Sequence, residues 1–419
     1  MREKQQRQII ARRYYMKKRI TAAILTLTLL CTGGLSGCVT ADPAADAQGK
    51  SITVAISSDT GTMDTAGSIA LTYLAYSVSA LDELLTYDEN GEIEYRAAES
   101  YEVNDDSTVW TFHLREDALW SDGSPVTSSD FMNTIKRALD PASGSGYANY
   151  LFPIENAEDI YNGEADMETL GVETPDDHTL VFSLTEPCVY FLDLLRLPVY
   201  TPSSSQYADS VDSGWDKDPS TSLSNGPFYL AEYVPEQYFV LQKNDHYWNA
   251  DAVNLDSITY RFFDDTQSMA NAYEAEEVDV ATSLSSTVME AYEGSEDLYV
   301  TDQIATRYIY MNLNVEPLND VRVREAVNLA VNREELCQIV GNDTEPTYNL
   351  VAKYMKNKAT GEYFVDEAGQ PFEEDVARAQ ELLAEAGYPN GEGFPELTYN
   401  YPTLEMDSDT AQVIQEQLK

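Results

Sequence analysis

The chain has 419 residues, of which 43% are hydrophobic and 11% aromatic, with 29 tyrosines; that is enough apolar surface for more than one globular core and excludes a disordered chain. Its 72 acidic against 26 basic residues give a formal net charge of −46, which excludes nucleic acid as a partner. The acidity is read as a well-solvated surface.

The chain opens with Arg2, Lys4, Arg7, Arg12, Arg13, Lys17, Lys18 and Arg19 against one acid, Glu3, and continues into an apolar run over 20–31. A basic start followed by an apolar core well short of the roughly 20 residues that span a bilayer describes a secretory leader. The run ends in Leu35-Ser36-Gly37-Cys38, which resembles a bacterial lipobox, so cleavage before Cys38 and lipidation of its thiol are expected. Without 1–37 the chain keeps 18 basic and 71 acidic residues, a net charge of −53. Beyond Cys38 only Cys188 and Cys337 remain, without metal-ligand spacing, and whether they pair is open. Residues 39–50 are small, polar and broken by proline, as a tether would be.

Folding is expected from Ser51. Ile52, Val54 and Ile56 alternate with other residues as in a strand, and a helix is predicted over 73–85, followed by a turn at 88–91. Between 103 and 114 the alternation places Trp110, Phe112 and Leu114 on one strand face and leaves His113 on the other. Thr127, three residues before Asp130, has capping-box character at the head of a helix over 129–139, which Asp140-Pro141 stops. From Asp320 apolar residues recur at helical spacing, and Asn332 with Glu335 caps a second helix ending at Gly341. A helix over 374–386, a strand over 395–401 and a helix opening near Thr410 complete a mixed α/β pattern without internal repeats.

Little in this pattern speaks for catalysis. The three histidines, His113, His178 and His246, stand alone, so neither a zinc site nor a histidine base is supported. No phosphate loop, nucleophile elbow or calcium loop occurs, and no cofactor is expected. With so many carboxylates, no one acid pair stands out as a hydrolase site.

Ordered blocks carry a resemblance instead. Ala97-Ala-Glu-Ser-Tyr101, Val109-Trp-Thr-Phe-His-Leu-Arg115, Leu119-Trp-Ser-Asp-Gly123-Ser-Pro-Val-Thr127 and Asp130-Phe131 resemble the signature of the peptide/nickel class, family 5, of bacterial solute-binding proteins. Asn225-Gly-Pro-Phe-Tyr229, Lys243-Asn-Asp-His-Tyr-Trp248, Asn319-Asp-Val-Arg-Val-Arg-Glu-Ala326 and Glu381-Leu-Leu-Ala-Glu-Ala-Gly-Tyr388 follow in the family's order. Tyr147-Ala-Asn-Tyr-Leu151, Gly171-Val172, Asp177-His-Thr-Leu180 and Glu186-Pro187 with Tyr190-Phe191 make the likeness strongest to oligopeptide-binding lipoproteins.

The resemblance implies a two-lobed α/β fold around a cleft, with an extra domain inserted in the first lobe. The first lobe is mapped to 51–81 and 205–303, the inserted domain to 82–204 and the second lobe to 304–419. It implies a non-enzymatic, monomeric receptor, anchored by lipid on the extracytoplasmic face of the cell membrane, that captures oligopeptides and delivers them to the permease of an ABC transporter. Nickel, sugar or signalling-peptide receptors share the fold and stay open as alternatives, as does a secreted carboxylate-dependent hydrolase. Carried over position by position, the ligand contacts fall on Ile69, Ala70 and Leu71, on Tyr147, on Thr282 and Ser283, and on Tyr308 and Tyr310. At Ile69 the family's acidic residue is replaced. Trp110, Trp120 and Trp248 are expected in the core. Relatives of the class continue through a segment that anchors the peptide's α-amino group and completes the first lobe, so a fragment or a broken reading frame is expected here.

Overall fold

The computed structural model describes residues 50–57, 62–67, 71–88, 91–208, 214–301, 304–341, 344–357, 359–401 and 405–419. In chain order the strands are β1 (Ser51–Ser57), β2 (Leu85–Tyr87), β3 (Ile93–Tyr95), β4 (Ala98–Val103), β5 (Val109–Leu114), β6 (Val172–Asp176), β7 (Thr179–Ser183), β8 (Phe228–Val234), β9 (Tyr238–Lys243), β10 (Ser257–Phe263) and β11 (Val280–Ala281). The helices of eight or more residues are α1 (Leu71–Ala80), α2 (Ser128–Leu139), α3 (Thr266–Glu274), α4 (Val321–Ala330), α5 (Arg333–Val340), α6 (Val376–Glu385) and α7 (Glu405–Gln417).

A five-stranded sheet in the order β11-β1-β10-β9-β8 organises the first core. β1 runs parallel to both β10 and β11, so β10, α3 and β11 form a crossover that places β1 between its two strands. Helices cover both faces of β1. Val54 and Ile56 point into a cluster with Tyr76 and Ala80 of α1 and Leu230, Phe239, Leu241 and Ile258 of the sheet. Ala55 points the other way, onto Met269, Ala272 and Val278.

The second sheet is antiparallel, in the order β4-β5-β7-β6. Alternation in β5 buries Trp110, Phe112 and Leu114 and leaves Val109, Thr111 and His113 half-buried. Across the ladder Trp110 faces Phe182 and Phe112 faces Leu180. The rings of Phe182, Phe191 and Tyr200 pack edge to face within 5.4–6.1 Å of one another, the geometry that aromatic quadrupoles favour. α2 joins this core through Phe131, Ile135 and Leu139. Its head is the expected capping box, with Thr127 N–H donating to Asp130 Oδ2 at 2.9 Å.

Toward the C-terminus the cores are small. Ala326 of α4 meets Ala379 and Leu382 of α6. α7 is tied to the head of α5, because Gln417 accepts from Asn332 N–H (3.1 Å) and donates to the Asn332 carbonyl (3.1 Å).

Three expectations are corrected. The first helix ends at Ala80 and does not run to 85, because Glu83 and Leu84 turn their carbonyls to the N–H groups of Ala97 and Ala98 (3.0 Å each). No strand forms over 395–401: among the described residues no ladder includes this segment. Alternating Leu397, Tyr399 and Tyr401 meets the side-chain requirement of a strand, but a strand also needs a hydrogen-bonding neighbour. Trp110 and Trp120 are core residues, whereas Trp248 is half-buried, with Arg115 stacked 3.6 Å from its ring centroid. Cys188 and Cys337 are both free thiols.

Candidate functional site

In sheets with parallel strands ligands bind beyond the carboxyl ends of the strands. β1 ends at Ser57 and β11 at Ala281, so the residues that follow β11 lie at that edge. Thr282 continues β11, with its N–H (3.2 Å) and hydroxyl (3.0 Å) both donating to the Ala55 carbonyl on β1. Ser283 follows with φ of 53° and is exposed. This left-handed backbone is uncommon outside glycine, and Leu284 after it packs back onto the cluster around Ala55. Ile69 and Ala70 lie outside the described residues, and Leu71 opens α1.

Tyr147 stands after a loop that its own serines hold. Ser143 donates its hydroxyl to the Ala138 carbonyl (3.1 Å) and accepts from Ser145 N–H (3.2 Å), while Ser145 Oγ accepts from Tyr147 N–H (3.3 Å). Such short side-chain bonds fix turns where the helix ladder has stopped. The Tyr147 ring is half-buried against the second core and lies 5.7 Å from the ring of Tyr150. Tyr150 is 40% exposed, and its carbonyl accepts from the buried Tyr200 hydroxyl at 2.9 Å.

Tyr308 and Tyr310 come from an extended segment that joins no sheet. Their hydroxyls share a 2.6 Å hydrogen bond, and their rings meet nearly edge to face at 4.9 Å. Both are open to solvent, Tyr308 at 55% and Tyr310 at 84% exposure. The Tyr308 phenol is pushed above its ordinary value by the hydrogen bond it shares with Tyr310, then by the charge Tyr310 would carry and by burial. Burial and the neighbouring Tyr150 also push the Tyr147 phenol up. These phenols are neutral and offer ring faces and hydroxyls, not a nucleophile or a base.

The structure thus forms two tyrosine pairs, Tyr147 with Tyr150 and Tyr308 with Tyr310, and among the described residues no ring contact or hydrogen bond joins one pair to the other. No hydrogen bond or ring contact among the described residues joins Thr282 or Ser283 to these tyrosines. Among the described residues no group of three or more His, Cys, Asp or Glu side chains is placed to hold a metal ion.

Comparison with known proteins gives the arrangement its context. The model of bacterial extracellular solute-binding proteins, family 5 Middle, matches residues 92–419. The probable deoxycholate-binding periplasmic protein YgiS of Escherichia coli K12 is 33% identical over 335 residues, covering 79% of this chain and 62% of the relative. The periplasmic oligopeptide-binding protein OppA of the same organism is 34% identical over 315 residues, covering 73% and 56%. The chain thus spans about three fifths of the length of these relatives. Among solved structures, peptide-bound OppA of Listeria monocytogenes superimposes with a TM-score of 0.78 at 27% identity over 89% of this chain and 75% of that one. A periplasmic oligopeptide-binding protein of Borrelia burgdorferi gives 0.77 at 30% identity over 88% and 73%. The mixed α/β architecture is the one these structures share. The chain belongs to the bacterial extracellular solute-binding proteins of family 5.

Proposed function

We propose that this protein is the extracytoplasmic receptor of an ABC importer that captures oligopeptides in a cleft and presents them to the permease. The observation that carries this reading is that the positions the resemblance assigns to ligand include tyrosines of two aromatic pairs that reach solvent, Tyr147 with Tyr150 and Tyr308 with Tyr310. Exposed aromatic patches mark interaction sites, and tyrosine gives large contact area at small entropic cost. The similarity to peptide-binding relatives supports peptide as the ligand class.

In this proposal 51–81 with 205–303 form the first lobe, 82–204 the inserted domain and 304–419 the second lobe. An extended ligand would pair its main chain with strand-like segments bordering the cleft, so that affinity depends little on sequence. Ile69, Ala70, Leu71, Thr282 and Ser283 would contribute from the strand ends of the first lobe. The receptor would act as a monomer held to the membrane by lipid on Cys38, which lies outside the described residues. Among the described residues no helix is long and apolar enough to cross a membrane.

Native mass spectrometry of the purified chain, followed by calorimetry with a mixed tri- to pentapeptide library and with deoxycholate, tests the ligand class. Co-purifying peptides and saturable peptide binding are expected. Binding of deoxycholate without any peptide binding would replace this reading, and detergent-phase partitioning of the Cys38→Ala variant tests the anchor.

A further inference from the structure

The segment that carries Tyr308 and Tyr310 has no sheet to hold it. Among the described residues no backbone hydrogen bond involves 304–311. One polar side-chain contact leads out of this segment among the described residues, from Arg307 Nη1 to Asp407 Oδ1 in the first turn of α7. The Tyr308 and Tyr310 rings meet at a spacing of two residues, as in an extended chain, where the side chain of Arg307 points to the opposite side. Arg307 thus reaches α7 while the two rings face outward. α7 is itself held. Val413 and Ile414 are buried, and Gln417 at its far end donates to the Asn332 carbonyl (3.1 Å) and to Glu335 Oε2 (3.0 Å) of α5. The Arg307 side chain is 58% exposed and that of Asp407 15%. An ion pair so open to water adds little to stability, so what it controls is the place of its neighbours.

We propose that Arg307 and Asp407 are positioning residues, which hold 304–311 to α7 and so aim Tyr308 and Tyr310 at the bound peptide. The inference rests on the peptide-receptor reading and adds to it two residues outside the contacts that the resemblance implies. With no ladder to fix the segment, loss of the pair spreads the two rings over several arrangements, and affinity falls with the fraction that stays competent. A guanidinium that met the peptide's carboxylate directly would make the opposite demand on Asp407. Removing that acid would then free Arg307 and strengthen binding.

Calorimetry on the full chain with the mixed tri- to pentapeptide library decides between these, and thermal melts confirm that each variant keeps the fold. Arg307→Ala and Asp407→Asn should each weaken binding by about threefold or more while melting as the parent does. Asparagine keeps the size of the side chain at 407 and removes its charge. Both changes together should lose no more than either alone, since each removes the same pair. Exchanging the charges, Arg307→Asp with Asp407→Arg, should restore affinity to within about twofold of the parent. In a chain already lacking both rings, Tyr308→Ala with Tyr310→Ala, Arg307→Ala should change nothing further, because the pair acts through them. Unchanged or tighter binding by Asp407→Asn overturns the inference. So do additive losses, a charge exchange that restores nothing, or an Arg307→Ala effect that persists without the two rings. If the parent takes peptides and neither single variant differs from it, the receptor reading stands and the positioning role falls; if the parent takes no peptide, both fall.

Discussion

Asp82 is nearly without water, at 4% exposure, and three residues hold it by hydrogen bonds. Its carboxylate accepts from Trp248 Nε1 (2.9 Å) and the Tyr247 hydroxyl (3.4 Å), while Asn225 accepts from its N–H and donates to its carbonyl (3.0 Å each). Burial pushes its carboxyl above the ordinary 3.8, against the Trp248 hydrogen bond and the charges of Arg96 and Arg115. The folded chain therefore keeps this proton to higher pH than the unfolded chain. Between 3.8 and the folded value the folded state binds more protons, so this group's contribution to stability falls as pH rises through that window. Asp82→Asn keeps the acceptor for Trp248 and removes the titration. Urea unfolding at pH 4 and pH 7 should show the variant gaining stability relative to the parent as pH rises; a relative loss would show that Arg96 and Arg115 outweigh burial. The same residues explain why two blocks of the sequence were so recognisable. Asn225-Gly226 and Asn244 to Trp248 clasp Asp82 and the end of α1, and a Cβ on Gly226 would lie 2.7 Å from the Ala80 carbonyl carbon. Their signature is structural. Tyr150 was not legible as the ring partner of Tyr147, because their three-residue spacing becomes a contact only in the short helical turn that the fold gives 148–151.

At the scale of elements, what the sequence displayed were patterns closed within a few residues. Asp265, Asp320, Asn332 and Asp375 each accept a backbone N–H at the head of a helix, and the one the sequence analysis reads as a cap, Asn332, rests on local spacing alone. The segment over 395–401 shows the limit, since alternation was present and a ladder partner was not. α2 shows how far a local signal understates its own importance. Beyond its cap role, Asp130 accepts from Trp120 Nε1 (3.2 Å) and from Ser205 N–H (2.9 Å), and it is buried at 3% exposure. Removing it strands donors from three segments at once. Asp130→Ala should cost about 2–4 kcal/mol in urea unfolding, above the usual cost of a lost cap alone. Asp130→Asn should cost less, because an acceptor remains. A loss below about 1 kcal/mol for the alanine variant would mean that water replaces the carboxylate and that the site is less closed than its burial indicates.

At the scale of the whole molecule, the segment after β1 and the region around the second sheet are joined by polar groups withdrawn from water. Arg137 of α2 donates from both terminal nitrogens to Asp64, at 2.8 Å from Nη1, with Arg137 7% and Asp64 1% exposed. The guanidinium lies 5.3 Å from the Trp215 ring. Beside it, Asp216 accepts from Met63 N–H (2.6 Å) and the Thr62 hydroxyl (2.7 Å), and Tyr76 shares a 3.0 Å hydrogen bond with Ser222. A bidentate pair of this kind fixes geometry, which a binding protein needs if its ligand contacts come from both parts. Its net contribution to stability is small, because desolvation of two charges offsets their attraction, but removing one partner takes from a buried charge its bidentate compensation. Asp64→Ala and Arg137→Ala should therefore each cost about 3–5 kcal/mol, whereas Asp64→Leu with Arg137→Met, which replaces both charges by apolar groups, should cost much less than the two losses added. The double variant separates two roles for the pair. If peptide affinity falls in it while stability is kept, the ion pair sets the orientation of the two parts; if both are kept, apolar packing alone holds them. A double loss equal to the sum of the single ones would show that the two charges act independently and that no such junction exists.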